Sequence, residues 1–420
     1  MYKYDGELTE DQKKVFDAIM EGENVLLLGL AGCGKSFLIS NVIKELHAQR
    51  KNVVVTAPTG IAALNIESGI TIHRAFGIKP RPVFSTLYTP SASNVAGMDV
   101  LIIDEISMVR CDLFDSIMRS VVNLSLDRPV QVILVGDFFQ LPPVITTRDE
   151  EVFHTVYPNA TSGYAFEGEM WDMFDFVPHI LTKSIRQTDQ SFVDELNRAR
   201  MGDSSCVPYF NKRVKADNGK DAIRLYGTNN KADVYNKMRL SKLKTEKKTY
   251  VSEYDGEVKD SDKPVPDSLT LAVGARVMCV TNDNKNHQYV NGSFGTVTRL
   301  DDRAIEVSFD NGNIATVGYN DWEILNAKSS DTGDGEKRVE TESVGTYSQI
   351  PFKLGYAITM HKSQGQTYDA CTIDPHTFSD GQLYVALSRC RTIDGVSLLS
   401  PIKANSLKAS QTVIDFYERI

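Results

Sequence analysis

No apolar run in this 420-residue chain reaches the roughly 18 residues that a membrane-spanning helix requires, which excludes a helical membrane protein. Cysteine is sparse and scattered. Cys33, Cys111, Cys206, Cys279, Cys371 and Cys390 form no Cys-x-x-Cys pair, so the spacing argues against a zinc site or a disulfide framework and predicts free thiols. Positive charge is in deficit, with 46 Lys and Arg against 55 Asp and Glu and a net charge of −9. That balance argues against a basic coat for polyanions but permits a local positive lining in an internal groove. Internal repeats are absent. The segment Met1–Glu7 is neither a signal peptide nor an Arg-rich transit peptide, so the expected location is the cytoplasm. A 41% hydrophobic content at this length accommodates two to four compact units.

What the chain does have is concentrated at Gly29, Leu30, Ala31, Gly32, Cys33, Gly34, Lys35 and Ser36, directly after the apolar run Val25–Leu28. This is Gly-x-x-x-x-Gly-Lys-Ser. Glycines let backbone N–H groups converge on phosphate oxygens, Lys35 can reach the β- and γ-phosphates, and Ser36 can ligate Mg²⁺. Phe37, Leu38, Ile39, Val42, Ile43 and Leu46 continue at helical spacing, placing a helix N-terminus behind the anion. The pattern and both flanks predict a nucleoside triphosphate site rather than an ordinary glycine turn.

Residues 25–28, 53–57, 100–104 and 131–135 are β-rich apolar runs, each followed by a polar loop and helical patterning, which predicts a parallel α/β core. Residues 79–97 carry Pro80, Pro82 and Pro90 and read as a small inserted hairpin or arm. The βα alternation resumes at 222–240 and 354–391 as a second α/β unit. Between its halves, from about 245 to 345, short alternating strands predict a small barrel, with Ser329–Lys337 as a mobile loop.

Val100–Ile103 ends in Asp104 and Glu105. Successive side chains diverge at a strand end, so Asp104 can hold Mg²⁺ while Glu105 orients or deprotonates a water. Val132–Gly136 leads into Asp137, Phe138, Phe139, Gln140, Leu141, Pro142 and Pro143, placing Gln140 to sense a γ-phosphate. Arg186 and Arg389, in helix-like settings, are candidate arginine fingers; a surface ion pair is the ordinary alternative for either.

Together with Ala57–Ala63, Thr71–His73, Asp104–Met108, Gly136–Pro143, Thr359–Thr367 and Ala386–Arg389, the phosphate loop closely resembles the Pif (petite integration frequency) DNA helicases of superfamily 1, subgroup B. The elements run in family order from residue 12 to 391. The resemblance implies two RecA-like parallel-sheet motor domains with a small hairpin/arm insertion and an SH3-like β-barrel insertion. Its implied boundaries are 1–78 with 98–183, and 184–244 with 346–420; the wedge arm is 79–97 and the barrel 245–345. It further implies ATP- and Mg²⁺-dependent 5′→3′ translocation on single-stranded DNA, and unwinding of duplex junctions, G-quadruplexes and RNA–DNA hybrids in replication, repair or recombination. A nucleoid-associated monomer of bacterial or phage type is the implied setting, with no membrane partner. By position, Gln12 matches the adenine-reading glutamine, and Pro58, Thr59, His73, Thr359, His361 and Lys362 match DNA-contacting positions. Phe76 is placed either to stack on a base or to pack in the core. Val109–Leu126 is helical in character but lacks the basic cluster of the family's signature region.

Two rival readings differ in kind. Asn230, Lys231, Ala232 and Asp233 form the guanine-reading pattern of a GTPase switch, although Asp104–Ser107 lacks the Asp-x-x-Gly such a switch needs. A nucleotide-gated DNA-binding scaffold without stimulated turnover is the other.

Overall fold

The computed structural model describes the chain apart from residues 1–6, 60–61, 64–65, 67–68, 79–94, 96, 125–128, 148, 220–221, 259–262, 284–285, 287 and 332–336, and the side chains of 152 and 324–344. It divides into two compact units, 1–227 with 360–420, and 228–359. The arm expected over 79–97 falls outside the described residues, except for Val95 and Gly97.

In the first unit, β1 (Val25–Gly29), β2 (Val53–Ala57), β3 (Ile70–Thr71), β4 (Val100–Ile103), β5 (Gln131–Gly136) and β6 (Val177–Leu181) form a six-stranded sheet in the order β3-β2-β4-β5-β1-β6. Every pairing is parallel, so the C-terminal ends of all six strands open onto one edge. The four apolar runs are thus strands, while β3 and β6 lack a comparable apolar run and were not foreseen. β1 is buried along its whole length because helices cover both of its faces. Its pleat sends Val25 and Leu27 toward Leu38, Ile39 and Val42 of the helix Lys35–Ala48. Leu26 and Leu28 point the other way, toward Phe114, Ile117 and Met118 of the helix Cys111–Leu124. Each such side chain removed from water contributes about 1.5–3 kcal/mol.

An aromatic cluster extends that second face. Phe138 meets Phe166 edge-on at 4.9 Å, and Phe166 stacks on Phe416 at 4.1 Å. Phe416 belongs to the helix Gln411–Tyr417, so the C-terminal helix shares a core with the turn after β5.

A second parallel group in this unit comprises β7 (Ile223–Tyr226), β19 (Cys371–Ile373) and β20 (Val396–Leu398), with the helix Gln382–Leu387 between the last two. In the second unit β8 (Lys247–Val251) pairs antiparallel with β10 (Ser268–Ala272), and β9 (Glu253–Gly256) lies between them in sequence. There β11 (Arg276–Cys279), β12 (Phe294–Leu300), β13 (Ala304–Phe309), β14 (Ile314–Gly318) and β17 (Phe352–Leu354) form an antiparallel sheet. Val277, Val297, Ile305, Val307, Phe309 and Phe352 fill its core, as the alternation predicts. Of the loop expected over Ser329–Lys337, residues 332–336 lie outside the described residues, while its flanks are strand: β15 (Asn320–Asp331) and β16 (Lys337–Gln349) pair through Ser329↔Val339 to Asp331↔Lys337. The helix Asn229–Ser241 and β18 (Ala357–Thr359) also belong to this unit, joined by the Asn236 amide, which bonds both ways to the Ala357 backbone at 2.8–2.9 Å.

Replacing Phe416 by Ala removes one wall of the aromatic cluster and is expected to cost about 3–5 kcal/mol. Chemical denaturation followed by tryptophan fluorescence, which reports on neighbouring Trp171, checks this; an unchanged midpoint would show that the C-terminal helix does not support the core.

Candidate active site

Gly32 and Gly34 have φ of 82° and 86°, a region in which side chains are disfavoured. Space also excludes a side chain, since a Cβ on Gly32 would lie 2.5 Å from Arg186 Cβ and one on Gly34 2.7 Å from Gln12 Nε2. The loop is therefore bare backbone wrapped against two named neighbours. Lys35 folds back over it, donating to the carbonyls of Gly29 at 2.6 Å and Leu30 at 3.1 Å, while Cys33 Sγ lies 3.8 Å from the ammonium. Ala31 and Cys33 are buried, and Ser36 is exposed at the start of the helix Lys35–Ala48.

Gln12 is buried beneath the loop. Its Oε1 accepts from Thr9 N at 3.0 Å, and its Nε2 donates to the carbonyls of Cys33 and Gly34 at 3.4 and 3.5 Å. A shallow cleft alongside is lined by Thr9, Gln12, Leu181, Lys183 and Ile185.

Asp104 and Glu105 follow β4, with Asp104 N donating to Thr56 O at 2.8 Å. Burial, then the adjacent Glu105 charge, pushes the Asp104 carboxyl up to about 7, against the opposing pull of the Glu105 N–H and Lys35. Glu105 has φ 52°, ψ 45°, a left-handed conformation that costs a non-glycine residue about 1–3 kcal/mol. It aims the side chain at Gln364, whose Nε2 donates to Glu105 Oε2 at 2.9 Å. The other amide atom, Gln364 Oε1, is buried without a hydrogen-bond partner among the described residues.

Arg186 is held in an irregular turn rather than a helix, because the N–H groups of Ile185 and Arg186 both donate to Gly32 O, at 2.8 and 3.0 Å. Its Nη1 donates to Ser388 O at 3.1 Å, and Gln187 Nε2 donates to Ser388 O and Cys390 O at 3.3 and 3.0 Å. Arg389, just past the helix Gln382–Leu387, is 1% exposed. It donates to Val385 O at 2.7 Å, to Ser363 O and Gln366 O at 3.2 Å each, and to Ser388 Oγ at 2.8 Å. Burial lowers its pKa, and the charge of Glu105 opposes that shift. Both guanidiniums thus bond to carbonyl groups in this conformation.

Gln140 is buried, its N–H donating to Asp137 O at 2.9 Å. Asp137 anchors a network that motif spacing did not reveal. Arg200 Nη2 donates to Asp137 Oδ1 at 2.8 Å, Tyr384 Oη donates to Asp137 Oδ2 at 3.4 Å, and the same hydroxyl accepts from Ala31 N at 3.0 Å. Arg200 also lies 4.1 Å over the Phe139 ring. Asp137 and Gln364 sit inside recognisable strings, but no local signal marks Arg200, Tyr384 or Gln187.

Among the expected DNA contacts, Pro58 and Thr59 follow β2, and Thr59 Oγ1 accepts from Ala62 N at 3.2 Å. His73 lies on the helix Ile72–Phe76; burial and then Arg110 lower its pKa, opposed by Asp112. Phe76 is fully buried in the core beside Ile72 and Ala75, so of its two expected places it takes core packing and not base stacking. His361 and Lys362 form the turn His361–Ser363, and burial lowers the His361 pKa. Thr359 is buried at the end of β18 in the second unit. Asn230–Asp233 lie in the helix Asn229–Ser241 of that unit, whereas the phosphate loop belongs to the first.

The family model of the PIF1-like helicases matches residues 7–203. The ATP-dependent DNA helicase Pif1 of Campylobacter jejuni is 31% identical, over 96% of this chain and 96% of that protein. The chain belongs to the Pif1-like helicase family. A Pif1 of Danio rerio is 30% identical over 98% of this chain and 64% of its own length. The crystal structure of Bacteroides Pif1 with ADP-AlF3 and single-stranded DNA superposes with a TM-score of 0.82 at 33% identity, over 99% of this chain and 97% of that one. The parallel sheets are accordingly those of a Pif1-like motor, and the antiparallel sheets its insertions.

The contact from Gln364 to Glu105 has a kinetic consequence. Losing a donor to a charged carboxylate costs about 1.5–3 kcal/mol, so Gln364→Ala should lower single-turnover nucleotide hydrolysis by about 10- to 100-fold. Nucleotide affinity should change much less, because Gln364 does not touch the phosphate loop. A single-turnover rate equal to wild type would show that the contact is idle.

Proposed function

We propose that the protein is an ATP-dependent DNA helicase that moves 5′→3′ on single-stranded DNA and opens duplex junctions. The observation that carries this reading is the bond between Gln364 and Glu105: a residue of the loop bearing the candidate DNA contacts His361 and Lys362 touches the candidate water-activating carboxylate. A loop proposed to face DNA thus touches a residue proposed to act on the nucleotide. The relatives named as ATP-dependent DNA helicases, and the Bacteroides structure holding ADP-AlF3 with single-stranded DNA, support the reading.

ATP phosphates would take the N–H groups of the loop, and Lys35 would exchange the carbonyls of Gly29 and Leu30 for the β- and γ-phosphates. The cleft beside Gln12 would receive the adenine, with the amide released from the loop carbonyls to pair with it. Mg²⁺ fits the donor set, since Ser36 and Asp104 offer hard oxygen atoms and the buried carboxyl gains its charge when a cation balances it. When bound, the ion neutralises phosphate charge. Glu105 orients or deprotonates the attacking water. Gln140 senses the γ-phosphate, and Arg186 and Arg389 stabilise transition-state charge once they leave their carbonyl partners.

Residues 1–78 with 98–183 and 184–244 with 346–420 act as the two motor halves in this reading, with the wedge arm at 79–97 and the barrel at 245–345. Pro58, Thr59, His73, Thr359, His361 and Lys362 would contact DNA phosphates and sugars. A monomer acting in the nucleoid, with G-quadruplexes among its substrates, completes the proposal.

Hydrolysis measured with and without single-stranded DNA, followed by unwinding of 5′- and 3′-tailed duplexes, tests it. Lys35→Ala should lose nucleotide affinity and turnover together, whereas Glu105→Gln should keep affinity and lose turnover by orders of magnitude. Exclusive unwinding of 3′-tailed substrates would overturn the polarity, and turnover indifferent to DNA would favour a nucleotide-gated scaffold.

A further inference from the structure

Phe378 is 60% exposed, in the segment between β19 and the helix Gln382–Leu387. An exposed phenylalanine is unremarkable on a loose loop, but this segment is braced from several directions. Phe378 N donates to Gln382 Oε1 at 3.1 Å, and the buried Gln382 donates through Nε2 to Gly227 O at 3.3 Å. Thr377 Oγ1 donates to Ser406 O at 3.0 Å, and Lys408 Nζ reaches Phe378 O at 3.4 Å. Gly381, at φ 66°, packs so closely that a Cβ there would lie 2.2 Å from Gln140 O. The backbone is held while the ring is left in water.

The ring also has a particular neighbour. Its centroid lies 6.5 Å from that of His361, with the two planes inclined by 23°. His361 and Lys362 belong to the turn already assigned to DNA phosphates, so an aromatic face stands beside a backbone contact. Single-stranded nucleic-acid sites combine these two features, because every base has a face that stacks while cations track the phosphates. Aromatic burial elsewhere in the unit is extensive, with Phe114, Phe138 and Phe153 fully enclosed, which sets this ring apart.

We propose that Phe378, flanked by His361, is a stacking platform for one base of single-stranded DNA. The proposal rests on the reading of the turn His361–Ser363 as a DNA contact and adds a base contact that the sequence motifs did not supply. Because stacking reads a ring face and not its edges, the platform grips any sequence, as a translocating motor requires.

The test is fluorescence anisotropy with a labelled thymidine oligonucleotide and a matched oligonucleotide of abasic sites, using wild type, Phe378→Ala, Phe378→Leu and Phe378→Trp. Ala and Leu should each weaken binding to the base-bearing strand about tenfold. Trp should restore affinity to within about threefold, and the Ala penalty should vanish on the abasic strand. The slope of affinity against salt should be the same in all four proteins, since no phosphate contact is altered. Full affinity in Phe378→Leu, or an equal penalty on the abasic strand, would overturn the platform while leaving the DNA reading intact. Failure of wild type to bind either strand would overturn both.

Discussion

A buried guanidinium is tolerated only when its N–H groups are matched, and how Arg389, a residue 1% exposed, is matched governs this site. Its partners come from two places: Val385 and Ser388 on its own helical segment, and Ser363 and Gln366 on the loop after β18. Ser388 O in turn receives Arg186 and Gln187, whose segment clasps Gly32 of the phosphate loop. From the other side, the loop that Arg389 grips sends Gln364 to Glu105. A continuous set of hydrogen bonds therefore runs from the phosphate loop to the carboxylate beyond β4, with the buried cation in its middle. Moving that cation toward a phosphate would break several of these bonds at once, so the nucleotide cleft and the loop must rearrange together.

The local state of the site is consistent with this coupling. Glu105 occupies a left-handed conformation, and Asp104 beside it is pushed up by burial and by its neighbour's charge. Lys35 satisfies itself on loop carbonyls and Gln12 on two more. The contacts of Lys35 and Gln12 are replaceable, since each is made to a loop carbonyl whose place a nucleotide can take. The network of Asp137, Arg200, Tyr384 and Ala31 differs in being buried and made of side chains held by aromatic packing.

Much of this was legible in the chain. The phosphate loop, its strand and its helix announce themselves because the chemistry requires those residue types at consecutive positions. The runs that became β1, β2, β4 and β5 are legible because both faces of each are buried. Contacts between distant residues were not legible. Tyr384 meets Ala31 across 353 positions and Gln364 meets Glu105 across 259, so no local pattern could report either. The polar hairpin of β15 and β16 read as a loop because Ser329, Ser330 and Asp331 carry no apolar alternation, yet strand pairing satisfies their backbone regardless. Phe76 shows the opposite limit: the sequence left base stacking and core packing open, and only burial separates them, in favour of the core.

The central claim is that DNA contact and nucleotide chemistry share one hydrogen-bonded path through Arg389 and Gln364. Linkage makes it directly measurable: titrate a non-hydrolysable ATP analogue with and without saturating single-stranded DNA, then titrate DNA with and without saturating analogue. The account predicts that each ligand shifts the other's Kd by the same factor, at least about fivefold, corresponding to about 1 kcal/mol of coupling. Equal affinities in the presence and absence of the other ligand would contradict it.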